Sequence, residues 1–468
     1  MKHLGIDAGT FCLPPLDPKF IPLGKFNEAF LKDAVEPFDI AVERSGGQVA
    51  VHRTFVHGTP ELFDADVYYI DRVIKTLLWM KGGFRVYLAG NAEICRAVSE
   101  RYSAGGERAF DFDFMGNVFE HTFEVLRVDA VPEEKSESKA IGRHLDGCRI
   151  GFDAGGSDRK VSAVIDGESV YSEEVVWFPK TSPDPDYHYD GIVSALRSAA
   201  EHMPRVDAVG VSSAGIYINN RTMNASLFLK VPKALFDAKV KDIYIRAITD
   251  TFGSVPYAVA NDGDVSALAG AMSLADDNVL GIAMGTSEAA GYVDSDGKIT
   301  GWLNELAFVP VDASPEAMAD EWSGDIGCGV KYFSQDAVIK LAPAAGIELD
   351  EGASPAEKLR AVQELMERGD ERAALIYESI GVYLAHTLAH YYKLYSFRHV
   401  LLLGRVMSGK GGDLLLDTCK RVLSEEYAEL SGKIHLALPD EKFRRVGQSV
   451  AAASLPAFSC KKKQAKEL

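Results

Sequence analysis

A carboxylate at the end of an apolar stretch is the first feature of this chain that could do chemistry. The stretch from Val255 to Ala260 is short and apolar, Asn261 and Asp262 end it, and small residues follow Gly263. This pattern predicts a strand, a turn and a helix, and ligands of α/β sheets bind at that end of the strands. There Asp262 could accept a proton from a hydroxyl group that becomes a nucleophile. It could equally cap the helix, as carboxylates in a first turn often do.

Two turns made of small residues, each following an apolar stretch, could hold phosphate groups. Glycine lets the backbone approach a phosphate closely, and a carboxylate beside it could bind Mg²⁺ through water. An ordinary Asp-Gly turn would look the same at the first of them. The first turn consists of Asp153, Ala154, Gly155, Gly156 and Ser157, and the second begins with Gly285 and Thr286.

Alternating strands and helices in the middle of the chain must position these residues. Helices are predicted over 191–203 and 234–252, between apolar strands. Two strand–turn–strand units, with an acidic strand end between them, predict an α/β fold of two similar half-domains that hold a nucleotide between them. A later strand over 399–403 runs into Gly404. A glycine loop there could lie against an adenosine or simply connect a strand to a helix.

Residues 1–147 form a block of their own. A hairpin is predicted over 38–57 and an amphipathic helix over 66–80. The segment from Pro132 to Lys139 is charged and lacks apolar periodicity, so it is the predicted linker, in a boundary region that extends to residue 147. The block is an additional α+β domain of unassigned role, and a degenerate duplicate of the following unit and a lid are both open hypotheses. We therefore expect three domains, over 1–147, 148–262 and 263–468.

Composition restricts the partners and the compartment of this protein. The chain has 468 residues, enough for about two to four domains. With 50 Lys and Arg against 68 Asp and Glu, its net charge of −18 argues against a nucleic-acid surface. The six cysteines are scattered, which predicts a reduced, cytoplasmic protein. The sequence has neither a membrane-spanning apolar run nor a signal-peptide pattern.

The order of these segments resembles the ROK family of sugar kinases and repressors, within the superfamily of actin, hexokinase and Hsp70. The similarity covers residues 149–468. It implies two actin-like, ribonuclease H-like half-domains with a nucleotide cleft between them. The segments that carry it are Asp153–Ser157, Val209–Gly215, Asn224–Phe228, Asn261–Asp262, Gly285–Thr286 and Gly404–Ser408.

The resemblance implies a sugar kinase that uses ATP and Mg²⁺, with Asp262 as the catalytic base. Asn224, Asn261 and Glu305 would contact the sugar. The ATP phosphates would be held by Gly155, Gly156, Ser157, Gly285 and Thr286, the metal by Asp153, and the adenosine by Gly404. The sequence leaves the oligomeric state, including a homodimer, open.

Departures from the family pattern concern the sugar and a zinc site more than the fold. Phe308 replaces a histidine that in the family touches sugar and zinc, and Val330 replaces a second glutamate that contacts sugar. The segment Glu321–Cys328 stands at the zinc signature but keeps one of its cysteines, so no structural zinc is predicted. Glu288 follows the second phosphate turn, where the family has small or apolar residues. It could reach a substrate hydroxyl or a metal, or be solvated.

These departures keep a second class of function open. A sugar-binding sensor or regulatory protein on the same fold would bind sugar without transferring a phosphoryl group. Asp262 and the two phosphate turns favour the kinase. The sequence thus predicts a cytoplasmic enzyme whose partner is a sugar, and neither nucleic acid nor a membrane.

Overall fold

The computed structural model of the chain forms two compact units, each built from segments that are distant in sequence. It describes residues 1–136, 141–439 and 441–457, so 137–139 of the predicted linker lie outside the described residues. The first unit comprises Met1–Glu137, Ile282–Ala290 and Trp302–Leu438. The second unit comprises Ser138–Gly281, Gly291–Gly301 and Pro439–Leu468. The block predicted as an added N-terminal domain therefore shares one compact unit with residues 302–438.

The N-terminal part of the first unit combines a sheet with helices. Its elements are β1 (Lys2–His3), β2 (Ile6–Asp7), α1 (Leu23–Leu31), β3 (Glu36–Arg44), β4 (Gln48–Val56), α2 (Phe63–Lys81), β5 (Arg85–Ala89), α3 (Ala92–Arg101), α4 (Ala109–Phe119) and β6 (Glu124–Arg127). The antiparallel pair of β3 and β4 confirms the predicted hairpin, and α2 confirms the predicted helix over 66–80. The sheet has the order β4-β3-β5-β6, with β5 and β6 parallel.

A five-stranded sheet forms the centre of the second unit. The elements are β7 (Cys148–Ala154), β8 (Asp158–Ile165), β9 (Glu168–Val176), α5 (Pro185–Ala200), β10 (Ala208–Ser213), β11 (Ile216–Ile218), β12 (Arg221–Asn224), α6 (Lys233–Leu235), α7 (Ile243–Phe252), β13 (Tyr257–Asn261) and α8 (Asp262–Leu274). The sheet has the order β13-β10-β7-β8-β9. Since β7, β10 and β13 are parallel, their carboxyl ends lie at the same edge. Apolar side chains of these strands pack against α5 and α7.

The single helix predicted over 234–252 is wrong. The chain forms α6, a π-helical turn over Phe236–Val240 and then α7. The N–H of Lys241 donates to the carbonyl of Phe236, while the carbonyl of Lys241 accepts the N–H of Thr222 in β12. A long-range hydrogen bond therefore competes with the regular helical pattern at this point.

The remaining elements complete both units. They are β14 (Val279–Met284), β15 (Glu288–Val293), α9 (Gln335–Leu341), α10 (Pro355–Glu367), α11 (Glu371–Tyr391), β16 (His399–Leu403), α12 (Gly409–Glu426), α13 (Ala428–Ser431), β17 (His435–Ala437) and α14 (Glu441–Ala453). Their strands form a sheet of order β15-β14-β16-β17. In the second unit, α14 approaches β7 so closely that a Cβ at Gly151 would lie 1.6 Å from the carbonyl oxygen of Ser449. Within the described residues, every helix is too short or too polar to cross a bilayer.

Candidate active site

The sheet edge of the second unit brings Asp153, Asn261 and Asp262 together. Asp153 of β7 pairs with Ser212 of β10, and the next residue of β10 pairs with Asn261 at the end of β13. Asp262 is the first residue of α8, so the predicted strand, turn and helix are confirmed. Two carboxyl groups therefore lie at the edge where ligands of parallel sheets bind.

Asn261, more than Asp262, caps helix α8. The side-chain oxygen of Asn261 accepts the N–H of Gly263 at 2.7 Å, and its amide nitrogen donates to the carbonyl of Gly215 at 2.8 Å. One oxygen of Asp262 accepts the same N–H at 3.0 Å. Burial raises the pKa of Asp262 above the ordinary aspartate value, while Lys180 opposes the shift. A carboxyl group with a raised pKa at a strand end is suited to accept a proton.

Asp153 is a buried carboxyl group that accepts one side-chain hydrogen bond from the described residues. It is 7% exposed, and the hydroxyl of Ser212 donates to it at 2.7 Å. Burial raises the pKa of Asp153 to about 6; the Ser212 hydrogen bond opposes this shift, and the charge of Asp262 adds to it. Repulsion between the two carboxylates favours a cation beside them.

The raised pKa of Asp153 makes a prediction about stability. The pKa of Asp153 is about 6 in the folded protein and about 3.8 when exposed, so protonation of Asp153 stabilises the folded state relative to the unfolded state. This contribution is complete below pH 3.8 and is lost as pH rises through 6. Asparagine does not ionise, so Asp153→Asn should not lose this stability as pH rises. Between pH 4 and 7 the free energy of unfolding of the variant should therefore increase relative to the native protein by about 3 kcal/mol, and its melting temperature should rise accordingly. Thermal melts of both proteins across that range measure the difference, and parallel curves would contradict it.

The first small-residue turn connects β7 to β8, and Trp177 fixes it. The indole N–H of Trp177 donates to the carbonyl of Gly155 at 2.8 Å. The hydroxyl of Ser157 donates to Asp158 at 3.0 Å. The turn at Gly155 and Gly156 is thus an ordered backbone loop beside Asp153, as a phosphate-binding loop must be.

Lys180 is a site residue that sequence reasoning missed. A Cβ at Gly156 would lie 2.9 Å from its Nζ, and its charge acts on Asp262. The residue is exposed, and no ion pair to it is formed by the described residues. Lys180 comes from the turn after β9, and no motif spacing connects it to the loop. Lys180 is found only from its proximity to Gly156 in the folded protein.

Asn224 lies near Asn261 through their shared neighbour Gly215. Asn224 ends β12 and is exposed. A Cβ at Gly215 would lie 2.4 Å from the carbonyl oxygen of Asn224, and the carbonyl of Gly215 accepts from Asn261. The two asparagines assigned to the sugar side therefore lie in one region of the second unit.

The first unit brings together Gly285, Thr286 and Gly404. Gly285 and Thr286 form the turn between β14 and β15, and the carbonyl of Gly285 accepts the N–H of Gln335 at 2.9 Å. Gly404 follows β16 with φ 95°, and a Cβ there would lie 2.3 Å from the carbonyl oxygen of Met284. Only glycine fits both demands. The predicted adenosine residue thus lies directly beside the predicted second phosphate turn.

The loop that carries Glu305 is fixed by the N-terminal block. The N–H groups of Asn304 and Glu305 donate to the carbonyls of Met80 and Trp79, each at 2.9 Å. Phe308 stacks on Trp79, with ring centroids 4.2 Å apart. The phenylalanine that departs from the family histidine is therefore a packing partner of α2.

The burial of Glu288 excludes one of the three roles considered for it. It is 3% exposed, so the solvated alternative is wrong. Neither carboxylate oxygen has a hydrogen-bond partner among the described residues. Burial, together with the charge of Glu305, raises the pKa of Glu288 well above the ordinary glutamate value.

Ion pairs fill the segment that resembles the zinc signature. Asp325 pairs with Arg72 at 2.9 Å, Lys75 at 3.2 Å and Arg108 at 2.7 Å. Burial raises the pKa of the Cys328 thiol to about 12, which keeps it protonated, whereas zinc binds the thiolate. This donor set does not fit zinc.

A magnesium ion fits the second unit if other ligands complete its shell. No group of three or more His, Cys, Asp or Glu side chains among the described residues could hold a metal by itself. Mg²⁺ is usually held by one or two carboxylates, waters and substrate phosphates. Asp153, with Asp262 nearby, supplies that number of carboxylates.

The family model of the ROK family matches residues 149–429, which is more than half of the chain. The chain belongs to the ROK family. ROK proteins of known structure that resemble it include both kinases and a regulator. A comparison with curated proteins gave no match.

Solved ROK structures resemble the chain at low identity. A ROK hexokinase from Thermus thermophilus is 19% identical, with a TM-score of 0.51 over 65% of this chain and 96% of the other. A Streptomyces griseus glucokinase in complex with glucose and AMPPNP is 20% identical, with a TM-score of 0.46 over 66% and 98%. A transcriptional regulator described as a homolog of the E. coli MLC protein is 17% identical, with a TM-score of 0.49 over 66% and 78%.

Proposed function

We propose that this chain is an ATP- and Mg²⁺-dependent carbohydrate kinase that transfers the γ-phosphoryl group of ATP to a sugar hydroxyl. The observation that carries the proposal is the sheet edge of the second unit. There Asp262, with a raised pKa, lies beside Asp153 and near a glycine turn that faces Lys180. The name of the structurally similar ROK hexokinase supports it.

In this proposal Asp262 accepts the proton of the attacking sugar hydroxyl. Asn224, Asn261 and Glu305 orient the sugar ring. Mg²⁺, when bound near Asp153, supplies positive charge to the phosphates. Most of the catalysis comes from this positioning and from charge stabilisation at the transferring group.

The phosphates and the adenosine would lie along the glycine turns. Gly155, Gly156 and Ser157 offer backbone N–H groups to the phosphates. Gly285 and Thr286 do the same in the first unit, where Gly404, packed against the backbone of Met284, would lie against the adenosine.

A sensor that binds sugar without phosphorylating it is the second candidate. Phe308 and the buried Val330, where the family has sugar-contacting residues, favour it. It predicts sugar binding in the absence of turnover.

ADP release with MgATP separates the two candidates, measured across hexoses, amino sugars and their N-acetyl forms. Sugar-dependent ADP release supports the kinase and names its substrate class. If no sugar is turned over while a sugar still raises the melting temperature, the sensor replaces the kinase.

Lys180→Gln tests the role assigned to the lysine over the first phosphate turn. Charge-assisted hydrogen bonds contribute about 1.5–3 kcal/mol, so kcat/KM for MgATP should fall about ten- to a hundredfold. KM for the sugar should change little. Lys433→Gln, an exposed lysine of the first unit, is the matched control. Equal behaviour of the two variants would remove Lys180 from the site.

A further inference from the structure

Glu288 is a buried acid that lacks a partner in the protein. Both of its carboxylate oxygens are buried, and neither oxygen forms a hydrogen bond with the described residues. More than nine in ten buried polar groups in proteins are hydrogen-bonded, and leaving one unpaired costs about 1–3 kcal/mol. A group retained at this cost indicates a partner that is not part of the chain.

The surroundings of Glu288 are rich in acceptors. A Cβ at Gly329 would lie 2.4 Å from Oε2 of Glu288 and 2.5 Å from the carbonyl oxygen of Leu306, so only glycine leaves this space open. The hydroxyl of Tyr391 is also buried and unpartnered in the described residues, and the charge of Glu288 acts on it. Glu305 is the other carboxylate close enough to act on Glu288. The cluster thus offers two carboxylates, a carbonyl and a hydroxyl.

This chemistry selects a cation with several N–H donors. An ammonium group has three donors and no acceptor, which complements carboxylate and carbonyl oxygens, whereas a sugar hydroxyl offers one donor. A metal held by the protein alone does not fit, because the described residues contain no cluster of three or more acidic, His or Cys ligands. A neutral N-acetyl group offers one N–H donor and no positive charge, so it would not favour the ionised form of the Glu288 carboxyl group.

We propose that Glu288 binds the protonated amine of an amino sugar, so that the phosphoryl acceptor is a sugar with a free amino group. This inference rests on the proposed kinase function for its turnover, but the binding step stands without it. Glu288 follows Thr286 by two residues, which places the amine subsite next to the second phosphate turn.

Binding of the amine should release a proton. In the empty site, burial and the charge of Glu305 favour the neutral acid of Glu288, since both raise its pKa. A bound ammonium reverses that preference and ionises the carboxyl group. Glu305, in the loop before residue 306, acts on Glu288, and Glu288 acts on Tyr391 of α11. Tyr395 and Cys328 act in turn on Tyr391.

Calorimetry in two buffers of different ionisation enthalpy tests binding directly, using amino sugars, their N-acetyl forms and the neutral parent hexoses. We expect the native protein to bind an amino sugar at least tenfold more tightly than its two neutral forms, with proton release. Glu288→Gln should lose this preference and the proton release, because an amide cannot carry the charge, and it should bind neutral sugars as before. Glu351→Gln, an exposed acid of the same unit, should behave as native.

Other outcomes decide against one proposal or the other. Amine-selective binding without ADP release would retain the amine site and overturn the kinase. ADP release from neutral sugars, with equal selectivity in native protein and Glu288→Gln, would overturn the amine site and retain the kinase. If Glu288→Gln does not fold, Tyr391→Phe should weaken binding of the amine alone, and unchanged binding would overturn the proposal.

Discussion

Asp262→Asn is expected to lower the sugar-dependent rate of ADP release by about 10²–10⁴-fold. Asparagine has the shape of aspartate and can still accept the N–H of Gly263, which Asp262 accepts at 3.0 Å. It cannot accept the proton of an attacking hydroxyl. The loss should therefore appear in kcat, while sugar and nucleotide still raise the melting temperature of the variant.

The pH profile gives this prediction a second readout. A general base must be ionised, so the rate should fall on the acid side as pH drops through its pKa. Because burial raises the pKa of Asp262, that fall should occur at a higher pH than for an ordinary aspartate. Asp190→Asn, an exposed acid on α5, is the control and should keep the native rate and profile. A rate for Asp262→Asn within a few fold of native would remove Asp262 as the base.

Local patterns predicted the part of the site that lies at one sheet edge. The strand that ends at Asn261, the turn after Asp153 and the helix after Asp262 are each specified by residues adjacent in sequence. The apolar runs, glycines and caps that specify these elements act over a few residues, so the elements can be predicted from the sequence. The break near Lys241 was missed because it depends on a hydrogen bond from Thr222.

Long-range charge pairs could not be predicted in the same way. No spacing rule connects Lys180 to Gly156, or Asp325 to Arg72 and Arg108, because these residues meet through the fold alone. The linker-like composition of 132–139 favoured a separate N-terminal domain. The contacts of α2 and α4 with residues 304–325, which composition does not reveal, join that block to residues 302–438 in one compact unit.

Asp325→Ala is expected to destabilise the first unit by about 3–5 kcal/mol. Asp325 is 6% exposed and faces Arg72, Lys75 and Arg108, all three buried. Although burial opposes it, Arg72 and Lys75 hold the pKa of Asp325 below its ordinary value. The carboxylate is therefore ionised at neutral pH, and removing it leaves buried cations without part of their compensation.

Glu321→Ala is the matched control for this change. Glu321 lies in the same segment and pairs with Lys331, but its side chain is 75% exposed. Because the carboxylate of Glu321 is largely solvated and the buried Lys331 keeps Asp336 at 2.8 Å as a second partner, this variant should unfold close to the native temperature. Chemical or thermal unfolding of both variants measures the difference. If Asp325→Ala costs no more than Glu321→Ala, the ion pairs do not hold this segment.

A double variant separates the loss of charge balance from the loss of packing. Asp71 also contacts Arg72 and Arg108, and Asp111 also contacts Lys75, so the three cations are shared among three buried acids. Removing one acid leaves an excess of positive charge, and Lys75→Met in the same protein restores the balance. Asp325→Ala combined with Lys75→Met should therefore be less destabilised than the sum of the two single variants. Additive losses would show that Asp325 acts through packing alone, whereas recovery would show that paired charges hold the segment in which zinc ligands are replaced.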